Sequence, residues 1–217
     1  MALVLAVLPV SVLCGRTPVE QPIPSPSTAT STPAEASTTV PTRPAAAAPS
    51  GREEIDETLR RVFGSALRAE PGPAFPRFFV GDFNADDVED LAVVALPAPG
   101  ALPAINDPLA PWIIRDAQRP TPASVSASAA VNGVEQDDVL LAVVHGYGGS
   151  AWRSPDARHG YILRHALGEQ MRARPAGEVI AVTEPGARAV GDVIAGVIDG
   201  RAGFLYWTGT RYLWRRL

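Results

Sequence analysis

Runs of apolar residues, separated by turn-forming residues, divide the chain into one predicted helix and about eight short predicted strands. Between residues 51 and 69, apolar side chains recur at helical spacing along one face, and Pro71 and Pro73 end the pattern. The candidate strands are Phe78–Val80, Leu91–Leu96, Trp112–Ile114, Val139–His145, Tyr161–His165, Val179–Thr183, Asp192–Ile198, Phe204–Thr208 and Arg211–Arg215, with a weaker alternation over Ser124–Ala130. This order predicts an α+β fold, in which an N-terminal amphipathic helix packs on a predominantly antiparallel sheet, either a sandwich or a rolled sheet.

Two local patterns predict which strands are neighbours. The string LAVV occurs at Leu91–Val94 and again at Leu141–Val144, which indicates two neighbouring strands of similar environment. Near the C-terminus, Thr208–Thr210 contains a glycine between two short strands, as a hairpin turn requires.

An apolar segment at residues 2–13 ends at Cys14 and Gly15. It is too short to span a bilayer and has about the length of a signal-peptide core, although no basic residue precedes it. The segment resembles a bacterial lipoprotein signal with an imperfect processing site, since Leu13 stands where a small residue is expected. That resemblance implies lipidation at Cys14 and membrane anchoring. Plain secretion and an uncleaved, buried segment are the alternatives.

Residues 16–50 are rich in Pro, Thr, Ser and Ala and contain few large apolar side chains. Such a segment cannot bury enough apolar surface to offset the entropy of ordering, so a disordered tether is expected. The predicted organisation is therefore a signal-like segment over residues 1–15, a tether over 16–50, and one globular α+β domain over 51–217. An exported protein, in the cell envelope or secreted, fits this order.

The most regular chemical pattern is an acidic loop between the first two predicted strands. Oxygen-bearing side chains alternate there, and a hard cation such as Ca²⁺ takes ligands of this kind at loop positions 1, 3 and 5, with a backbone carbonyl at position 7. The residues that occupy these positions, with a closing carboxylate at position 9, are Asp82, Asn84, Asp86, Val88 and Asp90. Position 6 is Asp87, which tolerates positive φ better than most residues. Position 12 is Val93 rather than Glu, which argues against a helical calcium hand.

An apolar strand, the string GDFNADDVEDL and a second apolar strand together resemble the FG-GAP and VCBS-type repeats of secreted bacterial proteins, over residues 78–96 only. The resemblance implies a structural Ca²⁺ clamp at Asp82, Asn84, Asp86 and Asp90, with the Val88 carbonyl. An acidic, solvated hairpin that binds nothing tightly and a catalytic acidic loop are the alternatives. The loop is expected to lie outside the core, so that Asp82→Ala leaves the fold intact.

A second stretch, HGYGGS at residues 145–150, is similar to the His-Gly loop that supplies oxyanion donors in α/β-hydrolases. No G-x-S-x-G nucleophile elbow accompanies it, and the interpretation favoured is a glycine-rich turn after a core strand. The histidines, His145, His159 and His165, do not form a helical metal-ligand pair.

Charge and cysteine content narrow the function classes. The net charge of −4 gives no reason to expect a nucleic-acid partner, and the single cysteine excludes an internal disulfide framework. The favoured function is a non-catalytic module of the bacterial cell envelope, with a protein or cell-wall partner that the sequence does not identify. A hydrolase is the alternative, either serine-type through HGYGGS or metal-dependent through the acidic loop.

Overall fold

The computed structural model describes residues 48–71, 77–119, 133–180 and 189–217. Cys14, the signal-like segment, most of the predicted tether and the weak alternation at Ser124–Ala130 lie outside the described residues. The helices are α1 Arg52–Phe63, α2 Leu102–Ile105 and α3 Ala176–Ile180, and a 3₁₀ segment covers Gly148–Arg153. The strands are β1 Leu67–Ala69, β2 Phe78–Gly81, β3 Asp90–Pro97, β4 Trp112–Asp116, β5 Leu140–Val144, β6 Gly160–Arg164, β7 Glu169–Arg174, β8 Val193–Ile198, β9 Arg201–Trp207 and β10 Tyr212–Arg216.

The described residues are mostly β-structure, arranged in two sheets, with few helices. Sheet A has the order β1-β3-β5-β6-β4, with β2 also paired to β3, and sheet B has the order β10-β9-β8-β7. The pairs are antiparallel except for β4 with β6. The predicted mixture of α and β structure is therefore confirmed at this level.

Sheet A is covered on both faces, so its central strands β3 and β5 are buried on both sides. One face packs against α1 through side chains such as Ile55 and Phe63, and the other packs against sheet B through side chains such as Leu205. A strand buried on both faces has no polar side to alternate with, which explains the continuous apolar runs. The two LAVV strings are direct neighbours, with Leu91 opposite Val144 and Val94 opposite Leu141, so the predicted proximity is confirmed.

Helix α1 is shorter than its apolar pattern predicts. It ends at Phe63 because Gly64 adopts a φ of 59°, which right-handed helix cannot accommodate. Ala66 and Leu67 remain buried, but β1 buries them by pairing with the end of β3. The expected helix over residues 51–69 is thus wrong in its last third, where the helical spacing of apolar residues continues although the chain changes from helix to strand.

The strand assignments differ from the prediction at two further places. Residues 179 and 180 belong to α3 rather than to a strand, and the rest of the predicted strand Val179–Thr183 lies outside the described residues. Strand β7 was not predicted, because its sequence EQMRAR is polar and its residues are exposed or half-buried. An edge strand of this kind lacks the apolar run that reveals a central strand.

Candidate functional site

The acidic loop joins β2 to β3, and its first and last residues belong to one antiparallel ladder in which Gly81 pairs with Asp90. The strands on both sides confirm that this is a β-hairpin loop and not a helical calcium hand. Ala85 and Asp87 adopt φ values of 60° and 65°. The sequence anticipated the second of these, since Asp tolerates the left-handed region.

Asp82 is the anchor at the start of the loop. Its carboxylate is buried, with Oδ1 accepting the Asp86 amide at 3.1 Å and Oδ2 accepting the Asp87 amide at 3.1 Å. Its backbone also bonds to the residue that precedes β8: the Asp82 amide donates to Asp192 Oδ2 at 3.0 Å, and the Asp192 amide donates to the Asp82 carbonyl at 2.7 Å. The loop is therefore attached to sheet B as well as to sheet A.

The middle of the loop is more exposed and is held by short-range bonds. Asn84 accepts the Asp86 amide at 3.1 Å through Oδ1 and donates to Asp86 Oδ2 at 2.9 Å through Nδ2. Asp86 Oδ1 in turn accepts the Val88 amide at 2.9 Å. Each carboxylate or amide oxygen has two lone pairs, so these bonds leave acceptor capacity at Asn84 and Asp86.

Asp90 closes the loop from inside the protein. The residue is 0% exposed, and its carboxylate accepts three backbone amides: those of Phe83 at 2.9 Å, Asn84 at 3.2 Å and Gly146 at 2.8 Å. Burial raises the pKa of Asp90 to about 8, although the bonds from Gly146 and Phe83 oppose the rise. The neighbouring carboxylates of Asp86 and Asp82 raise this pKa further.

The expectation that the loop lies outside the core is wrong. Phe83 is 1% exposed and belongs to the apolar cluster between the sheets, and both Asp82 and Asp90 are buried. Alternation had indicated which side chains turn inward, but it could not show that the loop turns into the protein. Asp82→Ala is consequently expected to disturb the fold as well as any ligand.

The donor set fits a hard cation in its chemistry, since Asp82, Asn84 and Asp86 carry side-chain oxygen atoms and the Val88 carbonyl is a further candidate. Within the described ranges, no three carboxylate, histidine or cysteine side chains are grouped as they would be around a bound metal ion. Asp90 spends its oxygens on backbone amides, so its role in the loop is that of an internal anchor. Ca²⁺ binding therefore stays a prediction.

The HGYGGS segment lies directly against the acidic loop, which the sequence did not reveal. Gly146 donates its amide to Asp90, Tyr147 donates to the Ala151 carbonyl at 3.1 Å, and Trp152 donates to the Glu89 carbonyl at 3.0 Å. A side chain at Gly146 would collide with the Glu89 carbonyl. The amides of Gly146 and Tyr147 are thus engaged within the protein and do not point toward a substrate oxygen, as an oxyanion hole requires.

His145 connects the acidic loop to an aromatic cluster. Its Nε2 lies 2.8 Å from the Tyr212 hydroxyl, and its Nδ1 lies 3.4 Å from Nδ2 of Asn84. The ring centroids of Tyr161 and Trp207 lie 5.0 and 5.3 Å from that of His145. Burial lowers the pKa of His145 to about 4, His159 adds to this effect, and Asp86 opposes it. His145 is therefore neutral at pH 7, and these contacts give it a packing and bridging role.

The other histidines lie in different surroundings. His159 is exposed, with its ring 5.5 Å from that of His145, whereas His165 places Nδ1 at 3.0 Å from Asp116 Oδ2 on another part of the surface. The structure therefore does not bring the three histidines together.

Comparisons of this chain with models of protein families, with curated proteins and with solved structures gave no match. Among the described helices, none has the length and apolar character needed to cross a membrane.

Proposed function

We propose that residues 51–217 form a non-catalytic accessory or binding module of the bacterial cell envelope, in which the acidic loop is a structural Ca²⁺ clamp. The domain would be an α+β sandwich of the two sheets, with α1 covering the face of sheet A that points away from sheet B. The observation that carries the proposal is that one loop bonds to three distant parts of the chain: Gly146 after β5, Trp152 in the 3₁₀ segment, and Asp192 before β8.

A clamp is favoured over catalysis by the direction of the polar groups. The carboxylates of Asp82 and Asp90 face backbone amides, so they hold chain segments together. Two backbone amides of the HGYGGS segment, those of Gly146 and Tyr147, are bound to Asp90 and Ala151 and so are not available to an oxyanion. The resemblance of residues 78–96 to FG-GAP and VCBS-type loops supports the same proposal, since those loops bind Ca²⁺ for structural reasons.

The proposed cation would act through electrostatics. Asp82 and Asp86 both lie near enough to Asp90 to raise its pKa, so their carboxylates are close to one another and a divalent cation would relieve the repulsion between Asp82 and Asp86. A ligand that binds only the folded state adds RT ln(1 + [L]/Kd), about 2.7 kcal/mol at a hundredfold excess over Kd. For a domain of this size, that corresponds to an increase in Tm of roughly 5–10 °C.

Thermal unfolding of the purified protein in chelator and in stepwise increasing Ca²⁺ tests the clamp. Tm should rise toward millimolar Ca²⁺ and return with chelator, whereas Mg²⁺ should substitute poorly because it requires a near-octahedral cage. Asp86→Asn should remove most of the response and keep the fold, since Asp86 is exposed, whereas Glu53→Gln, an exposed change on α1, should keep the full response. A Tm that stays constant from chelator to about 10 mM Ca²⁺ would leave a hairpin loop that binds no cation.

The proposed location depends on Cys14, which lies outside the described residues. Lipidation there, followed by a long tether, would hold the domain away from a bilayer. Cell fractionation of the wild type and of Cys14→Ser tests this. Membrane retention that is lost in Cys14→Ser supports the anchor, and two equally soluble proteins in the periplasm or medium would support plain secretion.

A further inference from the structure

Strand β10 has an edge that is only partly used. One side of β10 pairs with β9 along the whole strand. On the other side, among the described residues, a single backbone bond joins it to sheet A, from the Trp214 amide to the Ala117 carbonyl at 2.8 Å. Ala117 donates its own amide to the Arg164 carbonyl at 3.0 Å, so it bridges β6 and β10.

The hydrogen bonds of β10 show which of its other backbone groups face the open edge. Leu217 donates its amide to the Ala202 carbonyl at 3.0 Å, which places residue 217 on the side that faces β9. Successive residues of a strand point their backbone groups to opposite sides. The Trp214 carbonyl and the Arg216 amide therefore face the open edge, beyond the point where Ala117 is bonded.

A groove with a volume of about 410 Å³ follows this edge. Among the described residues, its lining combines apolar and aromatic surface with two guanidinium groups and includes no carboxylate side chain; these residues are Ala117, Gln118, Tyr206, Leu213, Trp214, Arg215 and Arg216. In the described part of the chain, no acidic side chain pairs with Arg215 or Arg216. The neighbouring Asp116 is already engaged, because its oxygens accept the Gln118 amide at 3.0 Å and lie 3.0 Å from His165 Nδ1.

We propose that this groove binds an acidic peptide segment of a partner protein in extended conformation, added as a further strand to β10. The open amide and carbonyl groups supply the strand-to-strand bonds, as in other cases of strand addition to an exposed sheet edge. The guanidinium groups of Arg215 and Arg216 select carboxylate side chains, and Trp214 with Leu213 provides apolar surface beside them. The proposal does not depend on cation binding by the acidic loop.

The binding test uses full-length protein and an acetylated, amidated octapeptide of alternating Thr and Glu, followed by isothermal titration or fluorescence anisotropy. Saturable binding is expected for this peptide, and none for the matched peptide of alternating Thr and Lys. Arg215 and Arg216 are consecutive residues of β10, so their side chains point to opposite faces, whereas this peptide presents all its Glu side chains on one face. One of the two changes, Arg215→Gln or Arg216→Gln, should therefore weaken binding roughly three- to tenfold, as expected for one charge-assisted contact, and the other should have a smaller effect. Arg68→Gln, an exposed change on β1, should leave the affinity unchanged.

A second measurement separates strand addition from simple anion binding. The Thr-Glu peptide with every backbone amide methylated keeps its charge but cannot donate backbone bonds in either register, so binding should be lost. Equal affinity for the methylated and unmethylated peptides, or complete displacement of the peptide by sulfate at matched ionic strength, would overturn strand addition. Equal binding of the Thr-Lys peptide, or no binding of the Thr-Glu peptide, would overturn the proposal as a whole.

Discussion

Two hairpins of this domain, β2–β3 and β9–β10, differ in the hydrogen bonds that stabilise their connecting loops. The turn between β9 and β10 is closed by its own residues: Thr208 donates its amide to the Arg211 carbonyl at 2.9 Å, and its hydroxyl accepts the Arg211 amide at 3.2 Å. The acidic loop between β2 and β3 has short-range bonds of its own, but it also bonds to residues far along the chain, at positions 146, 152 and 192. These backbone and hydroxyl bonds close the first hairpin locally, whereas the bonds of the acidic loop join distant parts of the chain.

The comparison predicts that the largest loss of stability comes from Asp90. Asp90→Ala leaves the buried amides of Phe83, Asn84 and Gly146 without an acceptor. A buried unsatisfied group costs about 1–3 kcal/mol, so the free energy of unfolding should fall by roughly 3–5 kcal/mol after partial relaxation. Denaturant unfolding beside the control Glu53→Ala measures this, and a loss below about 1 kcal/mol would contradict a junction role for the loop.

The contact between the acidic loop and the HGYGGS segment predicts the next largest effect. A Cβ at position 146 would overlap the Glu89 carbonyl and approach Val88 Cγ1 to 2.6 Å, so Gly146→Ala should cost about 1–3 kcal/mol through overpacking. Gly149→Ala in the same segment is the matched control, because a Cβ there meets nothing within 4 Å. Equal stabilities of the two variants would show that the segments do not depend on each other.

A pH dependence should also distinguish the loop from the turn. The native pKa of Asp90 is raised from 3.8 to about 8, so its contribution to stability is present at low pH and decreases as pH rises toward 8. The pKa of His145 is lowered from 6.5 to about 4, which makes stability rise with pH between those values and offsets Asp90 there.

Among the groups of the described residues with a shifted pKa, only Asp90 changes protonation between about pH 6.5 and 8, so the free energy of unfolding in chelator should fall there, by at most about 1.4 kcal/mol per pH unit. Denaturant unfolding across this range measures the slope. Asp90→Asn should flatten it, whereas an unchanged slope in that variant would assign it to other groups.

The smallest effect is expected in the turn between β9 and β10. Gly209 has a φ of 97°, so Gly209→Ala introduces backbone strain of roughly 1 kcal/mol. The change should speed amide hydrogen exchange in β9 and β10 and leave β2 and β3 protected. Faster exchange at β2 as well would mean that this turn, too, supports distant parts of the chain.

How far the sequence predicts this structure depends on the range of the interactions involved. The central strands β3 and β5 were predictable because burial on both faces leaves an apolar run, and the β9–β10 turn because Gly209 supplies the required φ. The end of α1 was not predictable, because the helical spacing of apolar residues continues past Gly64 into β1. The loop's ligand-like residues were recognisable by their spacing, but the burial of Asp90 and its bond to Gly146 join positions whose proximity only the tertiary fold creates.

The pairing of the two LAVV strings has a consequence for the protein before it folds. In antiparallel register each Leu and each Ala lies opposite a Val, so the string complements a second copy of itself. Two unfolded molecules therefore offer each other the same pairing that β3 and β5 make within one chain, a risk typical of apolar segments with high β-propensity. Refolding yield should fall as protein concentration rises. A charged substitution in either string should reduce aggregation but also lower the stability of the native state. A yield independent of concentration would show that the strings find each other within one chain first.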